Sequence, residues 1–163
     1  MFGPRAAVET SYRFTFDFPK DQYPARGPYK GSYKFRKHYY PFVGELESTG
    51  EEFECARLID GLQDVRHWVR NLAVQPTFSF RLPTSTDRFY PDFVAELEDG
   101  RILVVEYKGE LYADSADTRE KRNLGALWEE KSGGEELFLM AEKRDGAGRD
   151  LSRQLAEKVR RES

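Results

Sequence analysis

The chain has 163 residues, enough for one domain with a buried core, and its 39% hydrophobic and 34% charged residues are typical of a globular protein. A net charge of −3 gives no whole-chain attraction to nucleic acid, and no apolar run approaches the roughly 18 residues that span a membrane. Residues 1–10 lack the features of a signal peptide, and the single cysteine, Cys55, excludes an internal disulfide and a cysteine-rich zinc site, so we expect a cytoplasmic protein without membrane association.

Residues 1–45 are predicted to form a β-rich N-terminal extension packed on the rest of the chain. Aromatic residues alternate from Tyr12 to Phe18, which predicts a strand with the rings on one face. Prolines and glycines between residues 19 and 31 predict turns, and residues 35–43 could form a second strand.

A basic stretch crosses this extension. Residues 26–38 include no acid, and tyrosines lie between the basic residues, which are Arg26, Lys30, Lys34, Arg36 and Lys37. Such a stretch can hold a phosphate backbone and stack on bases, so Lys34 and Lys37 are candidate nucleic-acid contacts. The alternative is a solvated edge segment whose aromatic residues anchor it to the core.

Residues 46–163 show a clearer pattern of helices and strands. Helices are predicted over residues 51–62, 117–131 and 150–160, and strands over residues 78–82, 89–98, 101–108 and 136–142. Asp117 and Glu120 have the spacing of a capping box at the start of the second helix, and Gly133 and Gly134 are expected to end it. The order predicts an α/β (α+β) domain with a mixed central sheet flanked by helices, αβββαβ, followed by a last helix.

The strands predicted at 89–98 and 101–108 carry the strongest functional pattern. A two-residue loop, Asp99-Gly100, would place Asp92 opposite Tyr107 and turn Glu106 to the other face. A loop one residue longer, with the glycine in the left-handed bulge position, instead sets Asp92 opposite Glu106 on one face with Lys108. Both faces are largely hydrophobic, so the apolar pattern leaves the two registers open.

Asp92, Glu106 and Lys108 would then lie at one end of a strand pair buried on both faces. Charges in such a place are costly unless they are paired or bound to an ion. Two neighbouring carboxylates repel, and a hard cation such as Mg²⁺ relieves that repulsion through oxygen ligands. A metal there can polarise a phosphoryl oxygen and activate a water molecule. The alternative is a structural ion-pair cluster in which Lys108 bonds to both acids.

These residues resemble the PD-(D/E)XK nuclease superfamily. Pro91-Asp92 and Glu106-Tyr107-Lys108 are similar to its two central motifs, and the predicted order of elements is that of its core. More narrowly, the chain resembles the C-terminal nuclease domain of type III restriction enzymes and of related DEAD/DEAH helicase-like proteins, in residues 67–71, 84–92, 105–109 and 121–128.

The resemblance implies a restriction-endonuclease-like fold and a Mg²⁺- or Mn²⁺-dependent deoxyribonuclease, the cleavage module of a type III-like restriction system. It implies that Asp92 and Glu106 bind the metal, with the Tyr107 carbonyl as a third ligand, and that Lys108 is the catalytic lysine. The implied partners are DNA, a helicase or ATPase motor domain, and a methyltransferase subunit that performs modification.

The superfamily often adds a glutamate from its first helix to the catalytic residues. Helical spacing places Glu52 on one stripe with Ala56 and Ile59, whereas Glu51 and Glu54 lie further round. Glu52 is therefore the candidate, and the alternative is a first-turn charge that satisfies the helix dipole.

Two further basic residues are candidate DNA contacts. Lys121 shares a stripe with Gly125 and Trp128, and it could reach a substrate phosphate or merely snorkel to solvent. Arg70 could contact DNA or hold the segment after the first helix, and the structural role is favoured. His38 has no visible partner in the sequence and is given no catalytic role.

The sequence leaves other functions open. It contains no Gly-x-x-x-x-Gly-Lys-Ser/Thr loop, so no P-loop ATPase is predicted within it. The main alternative to a nuclease is a non-catalytic nucleic-acid-binding or docking module that retains the nuclease fold. Cleavage of RNA is a third possibility, because phosphate chemistry at such a site does not itself read the 2′-OH.

Overall fold

The computed structural model describes residues 18–20, 22–72, 80–83, 88–109 and 115–160. These residues form three helices, which are α1 (Glu51–Gly61), α2 (Ala116–Lys131) and α3 (Leu151–Val159). They also form six strands, which are β1 (Val65–Arg70), β2 (Leu82–Pro83), β3 (Arg88–Phe89), β4 (Phe93–Leu97), β5 (Ile102–Tyr107) and β6 (Glu136–Ala141).

The main sheet has four strands in the order β1-β4-β5-β6. Its β1–β4 and β4–β5 pairs are antiparallel, and its β5–β6 pair is parallel. The two central strands, β4 and β5, are buried along most of their length, as expected for strands covered on both faces. The predicted mixed α/β sheet is thereby confirmed.

The first strand of this sheet differs from the prediction. It is β1, which follows α1 directly, whereas the prediction placed the first strand at residues 78–82. Leu82 belongs instead to a separate two-stranded ribbon, β2 with β3, and residues 78–79 lie outside the described part of the chain. The predicted strand 89–98 is likewise divided between the ribbon and the main sheet.

The helices cover the two faces of the sheet and create two hydrophobic clusters. Helices α1 and α3 pack on one face with Trp68, Phe93 and Leu103. Helix α2 covers the other face with Val94, Val104 and the ribbon. Gly125 of α2 lies so close to the Phe138 ring that no Cβ would fit there, and the helix therefore packs closely on the sheet at this point.

The ends of the helices depend on local capping. Ser115 caps α2, because its hydroxyl accepts a hydrogen bond from the Thr118 N–H (3.0 Å). The predicted capping box at Asp117 and Glu120 is therefore wrong. Beyond α2, Gly133 and Gly134 adopt φ values of 70° and 90°, which confirms that they end the helix.

The described part of the N-terminal extension is held to the domain without a regular strand. Residues 35–43, predicted as a strand, make one isolated bridge, between His38 and Trp68 of β1. The buried Asp60 carboxyl anchors the preceding residues, accepting hydrogen bonds from the Tyr33 hydroxyl (2.9 Å) and the Lys37 N–H (2.8 Å). The other predicted strand falls on residues 12–18, of which 12–17 are outside the described ranges.

None of the helices in the described ranges is both long and apolar enough to cross a membrane.

Candidate active site

Asp92 and Glu106 lie side by side at one end of the β4–β5 hairpin. The two strands pair Phe93 with Val105, so the next pair outward is Asp92 with Glu106. The Asp92 N–H donates to Glu106 Oε1 (3.2 Å), and the Tyr107 N–H donates to Asp92 Oδ2 (2.8 Å). Each carboxyl group therefore accepts a hydrogen bond from a backbone N–H of the other side of the hairpin.

The loop at the far end of the hairpin produces this register. The Leu97 N–H donates to the Arg101 carbonyl (2.8 Å), and the Gly100 N–H donates to the Leu97 carbonyl (2.9 Å). Gly100 has φ 92°, in the left-handed region that favours glycine. The loop therefore contains three residues, and the longer of the two loops considered from the sequence is confirmed.

Burial makes both carboxyl groups hold their protons more strongly than exposed ones. It raises the pKa of Asp92 well above its usual value, and the negative charges of Glu106 and Glu52 add to the effect. Burial also raises the pKa of Glu106, although hydrogen bonds with Asp92 and the charge of Lys121 oppose that rise. A cation bound between the two groups would favour their ionised forms.

Arg70 joins Asp92 to the first helix. Its Nη1 lies 3.0 Å from Glu52 Oε1 and 3.3 Å from Asp92 Oδ1, while its Nη2 donates to the Glu45 carbonyl (3.0 Å). Burial would raise the pKa of Glu52, but the Arg70 charge and hydrogen bonds hold it below its usual value. Arg70 is 9% exposed and its charge pairs with the acids of the site, which agrees with the structural role favoured from the sequence, and a contact with DNA stays a prediction.

The glutamates of α1 are oriented as the helical spacing predicts. Glu52 contacts Arg70 and is hydrogen-bonded to Asp92, whereas Glu54 pairs with Arg57 at the surface (2.7 Å). Glu51 accepts a hydrogen bond from the Tyr107 hydroxyl (2.7 Å), beside the site but away from its carboxylates. Tyr107 enters the site through its backbone N–H, and a metal-binding role for its carbonyl stays a prediction.

Lys121 approaches the carboxylate pair from α2. Its Nζ lies 3.7 Å from Glu106 Oε2 and 3.2 Å from Asp117 Oδ2, and 5.1 Å from the centre of the Phe89 ring. Its side chain is 28% exposed, so the ammonium contacts both the site and solvent. A contact between Lys121 and a substrate phosphate remains a prediction that this position supports.

Lys108 forms an ion pair near the end of β6. Its Nζ lies 3.0 Å from Glu142 Oε1, just beyond β6, and Arg122 of α2 lies 3.9 Å from the other oxygen of Glu142. The Lys108 side chain is 7% exposed. Lys108 therefore pairs with Glu142, and not with both Asp92 and Glu106 as in the structural ion-pair cluster considered from the sequence.

The two lysines of the basic stretch differ. Lys34 is exposed. The Lys37 ammonium instead donates to the Leu62 carbonyl (2.7 Å) and the Val65 carbonyl (2.8 Å), tying the extension to the turn between α1 and β1. Lys34 thus keeps its candidate role as a phosphate contact, whereas the observed role of Lys37 is structural.

The donor set suits a small hard cation. In the described ranges, no three side chains of the types His, Cys, Asp and Glu converge as a ready metal-binding group. Asp92 and Glu106 nevertheless provide two carboxylates, and each uses one of its oxygens for a backbone N–H. Mg²⁺ commonly binds through one or two carboxylates together with water and substrate phosphate. The residues present therefore fit such an ion.

His38 holds the backbone of Arg70 in place, a role that the sequence did not predict. Its Nε2 accepts a hydrogen bond from the Arg70 N–H (3.0 Å), and its Nδ1 lies 3.1 Å from the Tyr40 carbonyl. This pattern requires a neutral imidazole with the proton on Nδ1, and burial lowers the pKa of His38 to about 4. Because both partners are distant in sequence or are backbone groups, no local pattern could have identified them.

No protein-family model matches the chain, and searches among curated proteins and among solved structures gave no significant match.

Proposed function

We propose that this chain is a Mg²⁺- or Mn²⁺-dependent DNA endonuclease domain with a PD-(D/E)XK-type site. The observation that supports this most is the buried pair of Asp92 and Glu106, two carboxyl groups with raised pKa at the end of the central strands. Burying two such groups side by side costs free energy. A cation that binds there for catalysis gives a reason for that cost.

The architecture supports the same proposal. Apart from the β2–β3 ribbon, the helices and the strands of the main sheet follow the order αβββαβα, and β4 and β5 are central in that mixed sheet. This is the order that a restriction-endonuclease-like core requires. The acid that precedes β4, the glutamate near the end of β5 and the lysine that follows β5 have the positions of the three motif residues. The motif and the topology therefore point to the same pair of strands.

Each residue of the site has its own role in the proposed reaction. Asp92 and Glu106 would hold the metal, which when bound supplies an electrophile for the phosphate and an activated water. Lys121 would bind a non-bridging phosphate oxygen, because its ammonium lies between Glu106 and solvent. Lys108, held at the end of β5 by Glu142, would neutralise negative charge that develops on the phosphate.

A non-catalytic nucleic-acid-binding or docking module is the second candidate, and one observation favours it. The charges near Asp92 are already compensated without a metal, since Arg70 pairs with Glu52 and Asp92 and Lys121 lies near Glu106. A module that had lost its activity could keep such a cluster as an ion-pair network. Metal binding distinguishes the two candidates.

The proposed biological setting follows from the resemblance. The domain would act in the cytoplasm on DNA, as the cleavage module of a type III-like restriction system. Its partners would be a helicase or ATPase motor and a methyltransferase subunit. RNA as a substrate would be tested beside DNA with the same protein.

The test is nicking of supercoiled plasmid in Mg²⁺ or Mn²⁺. We expect wild-type protein to nick the plasmid and Asp92→Asn to be slower by about 100-fold or more, the loss typical when a group that stabilises the transition state is removed. Glu54→Gln is the matched control, because Glu54 is an exposed acid that pairs with Arg57. Equal nicking by wild type and Asp92→Asn would contradict the proposal, and a wild type that neither nicks DNA nor binds Mn²⁺ would favour the docking module.

A further inference from the structure

Arg70 is fixed by contacts with several separate parts of the chain. Its Nη1 contacts Glu52 of α1 and Asp92 before β4, and its Nη2 contacts the Glu45 carbonyl. The guanidinium carbon lies 5.2 Å from the centre of the Phe93 ring. Glu45 has φ 54°, a left-handed conformation uncommon for a residue other than glycine. This conformation of Glu45 directs its carbonyl to the Arg70 guanidinium.

The Arg70 backbone is fixed as well. Its N–H donates to His38 Nε2 (3.0 Å), and its carbonyl accepts from the Tyr23 hydroxyl (2.9 Å). Both partners come from the N-terminal extension, and the Tyr23 and His38 rings pack edge to face with their centres 5.4 Å apart. The position of the Arg70 positive charge therefore depends on the extension as much as on the sheet.

Arg70 contacts two of the three acids of the site. Glu52 Oε1 and Asp92 Oδ1 both lie within reach of the same guanidinium nitrogen, and the two carboxyl groups are also hydrogen-bonded to each other. A divalent ion between Glu52 and Asp92 would occupy the space next to a fixed positive charge and would be repelled by it. Among the residues that the structure describes, Glu106 forms its ion pair with Lys121 and with no arginine.

We propose that the Arg70 guanidinium takes the place of a second metal ion. It pairs with Glu52 and thereby limits the site to one divalent ion, which Asp92 and Glu106 bind. Arg70 is then a positioning residue that fixes the Asp92 carboxylate, and Glu52 is the anchor of Arg70 and not a metal ligand. This inference rests on the proposed nuclease function, because it assumes that Asp92 and Glu106 bind a metal. It changes the role of Glu52 from that of a catalytic residue.

The test is calorimetric titration of the full chain with Mn²⁺ alone, in the absence of DNA. We expect one Mn²⁺ per chain in the wild type, and a dissociation constant changed less than about threefold in Glu52→Gln, the scale of a weak, partly exposed charge interaction. Asp92→Asn should weaken Mn²⁺ binding more than about tenfold, because it removes a direct ligand. Glu51→Gln is the matched control, since Glu51 precedes Glu52 on α1 but bonds to the Tyr107 hydroxyl.

A second variant tests the role of the arginine itself. Arg70→Gln removes the positive charge that pairs with Glu52 and Asp92, so we expect a second Mn²⁺ to bind or the first to bind more tightly. Circular dichroism would establish that this variant is folded. If it is not folded, the comparison of Glu52→Gln with Asp92→Asn still decides the question.

The outcomes distinguish the proposed role of Arg70 from the proposed nuclease function. Two Mn²⁺ ions in the wild type, or equal loss of binding in Glu52→Gln and Asp92→Asn, would overturn the role assigned to Arg70 and leave the nuclease proposal intact. A folded Arg70→Gln protein that binds Mn²⁺ as the wild type does would also overturn it. Wild-type protein that binds no Mn²⁺ would overturn both proposals together.

Discussion

Asp92 lies opposite Glu106 because the β4–β5 hairpin closes with a three-residue loop. Side chains alternate between faces along a strand, so a change of one residue in the loop would move one carboxylate to the other face. Gly100, with φ 92°, makes the longer loop possible. A site at one end of the hairpin is therefore specified by a glycine at the other end.

Replacing Gly100 with alanine should destabilise the protein. A Cβ at Gly100 meets no neighbouring atom within 4 Å, so the expected loss of about 1–2 kcal/mol comes from the left-handed backbone alone. The free energy of unfolding from urea denaturation measures it. Gly61→Ala is the control, because Gly61 also has an open Cβ position but no left-handed φ. Equal stability of Gly100→Ala and the control would contradict the loop assignment.

Asp60→Ala should be among the most destabilising single changes. The buried Asp60 carboxyl accepts hydrogen bonds from the Tyr33 hydroxyl, the Lys37 N–H and the Trp68 indole N–H (2.9 Å). Its removal leaves these donors without a partner, at about 1–3 kcal/mol for each donor that stays buried. We expect a loss of at least about 3 kcal/mol in chemical denaturation. The exposed Asp64→Ala should change stability by less than about 0.5 kcal/mol, and a similar loss in both variants would refute the anchoring role.

His38 should make the folded state less stable in mild acid. Burial lowers the pKa of His38 to about 4, from an ordinary 6.5. The folded state therefore binds fewer protons than the unfolded state between these values, so the stabilisation is complete above pH 6.5 and is lost as the pH falls to about 4. The largest possible effect is about 3 kcal/mol.

Urea denaturation at several pH values measures this effect. In His38→Gln the part of the pH dependence that lies between pH 6.5 and about 4 should disappear, because glutamine does not titrate. An unchanged pH dependence in that variant would show that His38 does not remain neutral in the folded protein.

Lys108→Met should remove cleavage without removing the metal. Lys108 is expected to stabilise charge on the phosphate, a contribution of about 100-fold or more in rate, and it is not expected to be a metal ligand. Plasmid nicking and Mn²⁺ calorimetry on the same preparation separate the two effects. Lys143→Met is the matched control because Lys143 is exposed and close in sequence to Glu142. Loss of Mn²⁺ binding in Lys108→Met would contradict the assigned role.

The sequence restricted the hairpin and its acids to two registers, because this information is local. The glycine in the loop and the fixed separation of Asp92 and Glu106 along the chain allow either loop length, and the structure has the longer loop. The helix α1 and the orientation of Glu52 follow from helical spacing in the same way. Features of this kind need no knowledge of distant contacts.

The strand β1 and the network of Arg70 could not be predicted in the same way. In β1 the register shifts between Val65 and His67, and Trp68, Val69 and Arg70 are all buried in succession, so the two-residue alternation of a strand is lost. Arg70 is held by groups that lie 18 to 32 residues away from it in sequence, at Glu52, Asp92, Glu45 and His38. A buried charge paired over such distances leaves no periodic pattern.

The most direct test of the central claim, that Asp92 and Glu106 share a divalent metal, is anomalous diffraction from crystals soaked in Mn²⁺. We expect one Mn²⁺ peak between these two carboxylates, at about 2.0–2.2 Å from one oxygen of each, the coordination distance expected for a small hard cation. The peak should be absent in crystals of Asp92→Asn. A Mn²⁺ ion bound at another position, with no density between Asp92 and Glu106 at a saturating concentration, would contradict a shared metal site.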